Sequence, residues 1–229
     1  MKKVAVLLSG AGVFDGAEIH ESVFTLWALD KRDVGYQVFA PDVWQHHVIN
    51  HLTGEEMPEK RNVLVESARI SRGQSRNLAE YRATDYDGLI LPGGFGVAKN
   101  LTQWAFQGPE GEILPEVRRA IRETTEAGKP ILGLCMGPAA IAKALEGTSR
   151  HPMLTVGSTK APSPYDIAGV SAGLEKTGAR AVERTIQEIA VDEQNKIVTA
   201  PCYMMEARIS EVAANIDAAV EAFVRLMHD

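Results

Sequence analysis

The stretch Lys129-Pro130-Ile131-Leu132-Gly133-Leu134-Cys135-Met136-Gly137-Pro138 runs directly into Ala139-Ala140-Ile141-Ala142-Lys143-Ala144-Leu145. An apolar run that ends in Gly-x-Cys-x-Gly and opens at once into an Ala-rich segment predicts a buried strand, a turn of minimum length and a helix. Cys135 stands at the turn. This is the pattern of a nucleophile elbow, in which flanking glycines let a strained backbone pass close to the next helix while the central side chain points into a cleft. A thiol there lies at a helix N-terminus, where unpaired N–H groups and the positive end of the macrodipole favour the thiolate. Cys135 is therefore expected to titrate below an ordinary thiol and to act as a nucleophile. A small residue packed at a tight turn is the plainer alternative, and the two glycines with the helix start weigh against it. Cys202, in Thr199-Ala200-Pro201-Cys202-Tyr203, has no such setting and is read as structural.

Outward from the elbow, the chain alternates strands with helices. Val4–Leu8 is a continuous aliphatic run, as in a strand covered on both faces. Asp15-Gly16-Ala17-Glu18 has capping-box spacing, and Ile19, Val23, Leu26 and Trp27 follow at helical intervals, so the first helix is expected to begin near Asp15. Tyr36–Ala40 is the second strand, and residues 43–58 suit a short hairpin or an excursion from the sheet. Arg61-Asn62 opens a helix through Ile70, followed by a loop over Ser71–Ser75. Asp87–Leu91 is a further buried strand that runs into Pro92-Gly93-Gly94-Phe95-Gly96, a glycine cluster at the sheet edge where open α/β sheets bind ligands. A helix over about 112–126 leads to the elbow. Beyond it come a strand at Met153–Val156, a helix at Ile167–Lys176, a hairpin with arms Glu188–Asp192 and Lys196–Thr199, and a closing amphipathic helix from about Glu206 to Met227. The fold class is α/β: a doubly wound, mostly parallel sheet with helices on both faces, in one domain spanning 1–229.

Composition narrows the function. The chain has 229 residues, 45% hydrophobic, enough for one complete core. Its formal charge of -6 is spread along the sequence, with no basic stripe for nucleic acid or anionic lipid, and a small uncharged or cation-tolerant ligand fits better than a polyanion. The apolar run after Lys2-Lys3 is too short for a signal peptide or a spanning helix. Two cysteines, one needed as a free thiol, point to a reducing compartment, and the cytoplasm is the expected location. His47 and His51 are spaced i,i+4, but no third ligand accompanies them and no metal site is expected.

Several stretches in this order carry a resemblance: Leu8-Ser9-Gly10 with Asp15-Gly16-Ala17-Glu18-Ile19-His20-Glu21, His47-Val48-Ile49-Asn50-His51, Arg61 through Ile70, Pro92 through Leu101, and Asn195-Lys196-Ile197-Val198-Thr199. With the elbow they resemble the class I glutamine amidotransferase-like superfamily, of flavodoxin-like fold. Within it the chain is similar to the PfpI-type cysteine proteins, which include the parkinsonism-associated deglycase and the glyoxalases that work without glutathione. The nearest resemblance is to ElbB-type proteins, named for enhanced lycopene biosynthesis, and it covers nearly the whole chain.

The resemblance implies that Glu18 approaches the Cys135 sulfur, where a desolvated carboxyl would have a raised pKa and could carry a proton; a capping acid at that position would need no chemistry. It also implies a homodimer. His20, two residues on, points elsewhere. Two departures stand out. PfpI-type peptidases place a histidine after the cysteine, where this chain has Met136. Glutaminases need a histidine and a glutamate two apart downstream, and neither His151 nor His228 supplies that dyad. The expected activity is that of a glutathione-independent glyoxalase, converting glyoxal or methylglyoxal to a 2-hydroxy acid with no cofactor or metal. Cys135 would be the nucleophile and Glu18 the proton carrier, with backbone N–H groups near Gly94, Phe95 and Met136 facing the oxyanion. The alternative is a redox-sensing or binding protein that uses the same acidic thiol.

Overall fold

A computed structural model of the chain describes residues 2–228. Its strands are β1 (Lys3–Leu7), β2 (Gly35–Ala40), β3 (Ser75–Asn77), β4 (Leu89–Leu91), β5 (Ile131–Leu134), β6 (Met153–Leu154), β7 (Arg180–Ala181), β8 (Ala190–Asp192) and β9 (Ile197–Ala200). Its α-helices are α1 (Ile19–Asp30), α2 (Val63–Ile70), α3 (Trp104–Gln107), α4 (Pro115–Glu126), α5 (Gly137–Leu145), α6 (Ile167–Lys176) and α7 (Ile209–Leu226).

One seven-stranded sheet, ordered β3-β2-β1-β4-β5-β9-β8, forms the centre. Its aliphatic strands are buried on both faces, which is why they lack alternation: Leu89, Ile90, Leu91, Ile131 and Leu132 expose nothing. All neighbours run parallel except β8, which returns antiparallel to β9 through the expected hairpin and pairs Val191 with Val198. The helices sort by their apolar stripes. α1 packs on α7, and α4, which buries Val117, Ala120, Ile121, Thr124 and Thr125, packs on α5.

Strand order places the site. From β1 the chain winds outward to β2 and β3; from β4 it winds the other way to β5 and β9. The reversal between β1 and β4 is a topological switch point, and a crevice opens beyond the carboxyl ends of such strands because their connections part to opposite faces.

The elements differ from the sequence expectation in a few places. α1 begins at Ile19 with Glu18 as its N-cap, four residues after Asp15. The Asp15 carboxylate accepts from Ile49 N (2.8 Å), while Gly12 N–H donates to Ala17 O and Gly16 N–H to Gly12 O, which holds residues 10–17 in a looped turn. Asn62 caps α2 by accepting from Val65 N, as its position at the helix start suggested. The expected loop at Ser75 contributes β3, since it pairs with the edge of β2. Met153–Leu154 lies outside the main sheet, in a two-stranded ribbon with β7. The 43–58 segment is an excursion pinned by two antiparallel bridges, Ile49 to Glu56 within it and Trp44 to Asn62 at its base. Among the described residues, no helix is long and apolar enough to cross a membrane.

Candidate active site

Cys135 occupies the turn between β5 and α5 with φ 54°, a left-handed conformation uncommon for a residue with a side chain. Its N–H donates to Ala200 O (3.0 Å), which ties the turn to β9. The tightness of the turn explains its glycines: a Cβ on Gly137 would lie 2.6 Å from the Leu91 carbonyl oxygen. Gly93, at the end of β4, is the second forced glycine. A Cβ there would lie 2.4 Å from Cys135 Cβ and 2.7 Å from Glu21 Oε2, so the β4 turn is pressed between the thiol and a carboxyl.

That carboxyl belongs to Glu21. Glu21 is 0% exposed. Its Oε2 accepts from Gly93 N (2.9 Å), its Oε1 from Tyr203 N (3.3 Å), and it lies beside the Cys135 side chain across Gly93. Burial first, and the neighbouring Glu18 charge second, push its pKa up from 4.5 to about 8, so at neutral pH it holds its proton. The place against the thiol expected of Glu18 is thus taken by the residue one helical turn on. Glu18 itself is buried at the N-cap, accepts from Glu21 N (2.6 Å), and lines the cleft before Cys135, with its pKa also raised by burial. The pair is legible in hindsight, because the spacing Glu18-x-x-Glu21 puts both acids on one side of a helix start.

The expectation of a depressed thiol pKa is corrected. Burial pushes the Cys135 thiol up, an ionised Glu21 would push it further, and the N–H groups of Gly94 and Met136 pull it down. At 6% exposure, desolvation outweighs the helix terminus. Cys135 and Glu21 form a protonated pair, in which removal of one proton raises the cost of removing the other.

Of the three expected oxyanion donors, Gly94 and Met136 line the cleft together with Cys135, and their N–H groups act to lower the thiol pKa. The Phe95 N–H is instead committed to Val13 O (2.8 Å), because the β4 turn folds back on the β1 loop, and its contribution is the ring that lines the cleft. Cys202, also buried, lies close enough that a charge on Cys135 would raise its pKa further.

The cleft has a volume of about 480 Å³ and mostly apolar walls. His47 is the histidine that lines it among the described residues, and its Nε2 is 3.0 Å from Lys99 Nζ. His20 reaches the Tyr203 hydroxyl (2.9 Å), and His151 pairs with the Gly178 carbonyl (2.9 Å) away from the cleft. His51 contacts Phe14 N and faces Asp15, so it and His47 point to different partners.

Over residues 56–222 the chain matches the family described as glutamine amidotransferase class-I. It is 41% identical to human glutamine amidotransferase-like class 1 domain-containing protein 3, mitochondrial, over 98% of this chain and 83% of that protein. It is 40% identical to the ES1 protein homolog, mitochondrial, of Rattus norvegicus (98% and 84%) and 31% identical to the ES1 protein, mitochondrial, of Danio rerio (89% and 77%). Among solved structures, an isoprenoid biosynthesis protein with amidotransferase-like domain from Ehrlichia chaffeensis superposes with TM-score 0.89 at 32% identity, covering 99% of both chains. Glyoxalase III from Candida albicans superposes with TM-score 0.60 at 16% identity over 97% of both, a likeness of fold alone. The ElbB-type resemblance thus has its counterpart in the Ehrlichia structure, whereas the sequence relatives carry the ES1 name.

The cytoplasmic expectation is overturned by these relatives, all three of which are named as mitochondrial. Free thiols call for reducing surroundings and do not choose among reducing compartments. The matched family model, the relatives at this identity and coverage, and the Cys135 elbow at the carboxyl end of β5 agree: the chain belongs to the class I glutamine amidotransferase family.

Proposed function

We propose that the protein is a cofactor-independent glyoxalase that converts a 1,2-dicarbonyl to a 2-hydroxy acid. The observation that carries this reading is buried Cys135 in the lining of a cleft with Gly94 and Met136, and protonated Glu21 packed behind it across Gly93. The sulfur adds to the aldehyde carbon, and its proton passes by way of the Glu21 carboxyl to the carbonyl oxygen, giving a hemithioacetal. Such a relay needs a carboxyl that still holds its proton near neutral pH, which burial supplies. The Gly94 and Met136 N–H groups then face the developing oxyanion. Glu18, with its carboxyl facing the cleft, takes the proton from the former aldehyde carbon and returns it to the adjacent carbon through an enediolate. Water cleaves the resulting thioester, restoring the thiol and releasing the 2-hydroxy acid, with no net oxidation.

Glutaminase chemistry is a weaker reading, since the cleft histidine, His47, is engaged by Lys99 and, among the described residues, no histidine–glutamate dyad accompanies Cys135. A redox role has one observation in its favour: Cys202 is near Cys135, and a carboxylic acid packed beside the thiol would also stabilise an oxidised, anionic form.

The test is conversion of glyoxal to glycolate and methylglyoxal to lactate by purified protein without glutathione, with product identified by chromatography because reversible adducts also deplete dicarbonyl. Cys135→Ser and Glu21→Gln should each lower kcat/KM about a hundredfold or more, or about 3 kcal/mol of transition-state stabilisation. Glu18→Gln should lower kcat at similar KM. No hydroxy acid above the Cys135→Ser control, together with peroxide oxidation of Cys135, would replace the enzyme reading with the redox one.

A further inference from the structure

The cleft before Cys135 is much larger than a two- or three-carbon dicarbonyl fills. Its volume of about 480 Å³ falls within the roughly 300–1,000 Å³ of sites that enclose drug-sized ligands. Its walls include Phe95, Trp104, Phe106, Tyr165 and Tyr203. A small hydrated dicarbonyl would leave most of that aromatic surface uncovered, whereas a ligand with an apolar body would displace water from it.

Into this wall is set one cation. Lys99 is the lysine or arginine that lines the cleft among the described residues, and it projects from Val97–Leu101, a single wide helical turn of π type. Such turns recur at functional sites because the extra residue re-aims a side chain. The ammonium donates to Phe14 O (2.8 Å) and to His47 Nε2 (3.0 Å), and it lies 5.1 Å from the centre of the Phe95 ring. Its third N–H finds no protein acceptor among the described residues, and no carboxylate there comes within 4.0 Å of it. Asp15, the acid whose charge reaches it, is already occupied by Ile49 N through Oδ2, while its Oδ1 faces His51. Burial lowers the Lys99 pKa accordingly. A partly buried cation whose nearest acid is engaged elsewhere is costly, and the cost falls when an anion arrives.

We propose that Lys99 is the specificity-determining residue of this site, receiving the carboxylate of an apolar-bodied α-oxo aldehyde whose reacting carbonyl lies at Cys135. The identity of the reacting group rests on the glyoxalase reading; the carboxylate site rests on the cleft and on Lys99. The aromatic wall holds the body of the ligand, and the charge pair sets which end faces the sulfur. Glyoxal and methylglyoxal, with no anion, are then turned over measurably but with a lower kcat/KM than a carboxylate-bearing member of the class.

Two measurements separate the site from the reaction. Calorimetry compares binding of 4-acetylbenzoate with its neutral isostere 4-acetylbenzamide, neither of which is a 1,2-dicarbonyl. Wild type and Cys135→Ser should bind the carboxylate about tenfold or more tightly than the amide, as a charge-assisted hydrogen bond predicts. Lys99→Met should bring the ratio to about one, and Lys99→Arg should restore most of it. Turnover compares 4-carboxyphenylglyoxal with phenylglyoxal, and the same preference should appear in kcat/KM. A ratio near one in wild type overturns the proposal whether or not Lys99→Met folds, and so does a preference that survives in a folded Lys99→Met. Carboxylate-selective binding with neither glyoxal turned over would sink the glyoxalase reading and leave the carboxylate site standing. Turnover of both glyoxals with equal kcat/KM and no binding preference would do the reverse.

Discussion

Replacing Glu21 by glutamine should change how stability responds to pH. In the folded protein the Glu21 carboxyl is fully buried, and burial followed by the Glu18 charge raises its pKa from 4.5 to about 8. Between these values the folded chain keeps a proton that the unfolded chain has released. Stability therefore falls as pH rises across that window. The contribution is fully present below about 4.5 and is lost as pH passes through about 8. At about 1.4 kcal/mol per pH unit the window is worth up to about 5 kcal/mol, a large share of the roughly 5–15 kcal/mol that holds a typical domain folded. Glutamine does not titrate, so the variant lacks this slope. It also turns an NH2 toward the amide of Gly93 or of Tyr203, both of which donate to the carboxyl in the wild type, but that cost is independent of pH. Urea denaturation of both proteins at about pH 5, 6, 7 and 8 isolates the titrating part, because groups common to both largely cancel in the difference. From pH 5 to 8 the wild type should lose several kcal/mol relative to Glu21→Gln. A constant gap between the two curves, at equal m-values, would refute the assignment of Glu21 as a buried carboxyl that keeps its proton near neutrality.

Two further outcomes are expected. Iodoacetamide should label Cys135, which lines the cleft, before fully buried Cys202; because burial raises the Cys135 pKa, the rate should still climb above pH 8 instead of levelling near neutrality. Peptide mapping across pH checks this, and equal or faster labelling of Cys202 would contradict it. The chain should also self-associate through α1, where Ile19, Val23 and Trp27 form a half-exposed apolar stripe at i, i+4, i+8. Sedimentation at micromolar concentration should give a mass near twice 24.9 kDa, with Trp27→Glu shifting it toward one chain; a monomeric wild type would remove the dimer.

Much of the fold is legible locally because its causes are local. Val4–Leu7 and Ile131–Leu134 are continuous aliphatic runs, and no surface strand would leave so many of them unrelieved by polar residues. Asn62 announces α2 by its own hydrogen bond, and the stripe of α4 follows from its 3.6-residue period. Asp15 misleads for the same reason: its capping spacing is genuine in sequence, but its carboxylate is claimed by Ile49, which lies 34 residues away along the chain.

The amino-acid sequence by itself determined the elbow, since Gly133, Cys135 and Gly137 and the aliphatic run before them decide strand, turn and helix through contacts among near neighbours. It also determined that two acids stand at the start of α1. Which of them meets the thiol was decided only in three dimensions, when the β4 turn at Gly93 and the β9 turn at Tyr203 closed their amides around Glu21. The same holds for the thiol: a helix terminus is a local feature that lowers its pKa, but desolvation is the sum of everything packed around it, and here the sum prevails. Lys99 shows the limit most plainly. In sequence it is one of 24 basic residues in a chain of net charge -6; as the cation of an aromatic cleft it exists only because a π turn, the β1 loop and the 43–58 excursion bring Phe95, Phe14 and His47 to its ammonium. Local pattern sets what the backbone does, while charge, burial and partnership are properties of a place that several distant segments must fold to create.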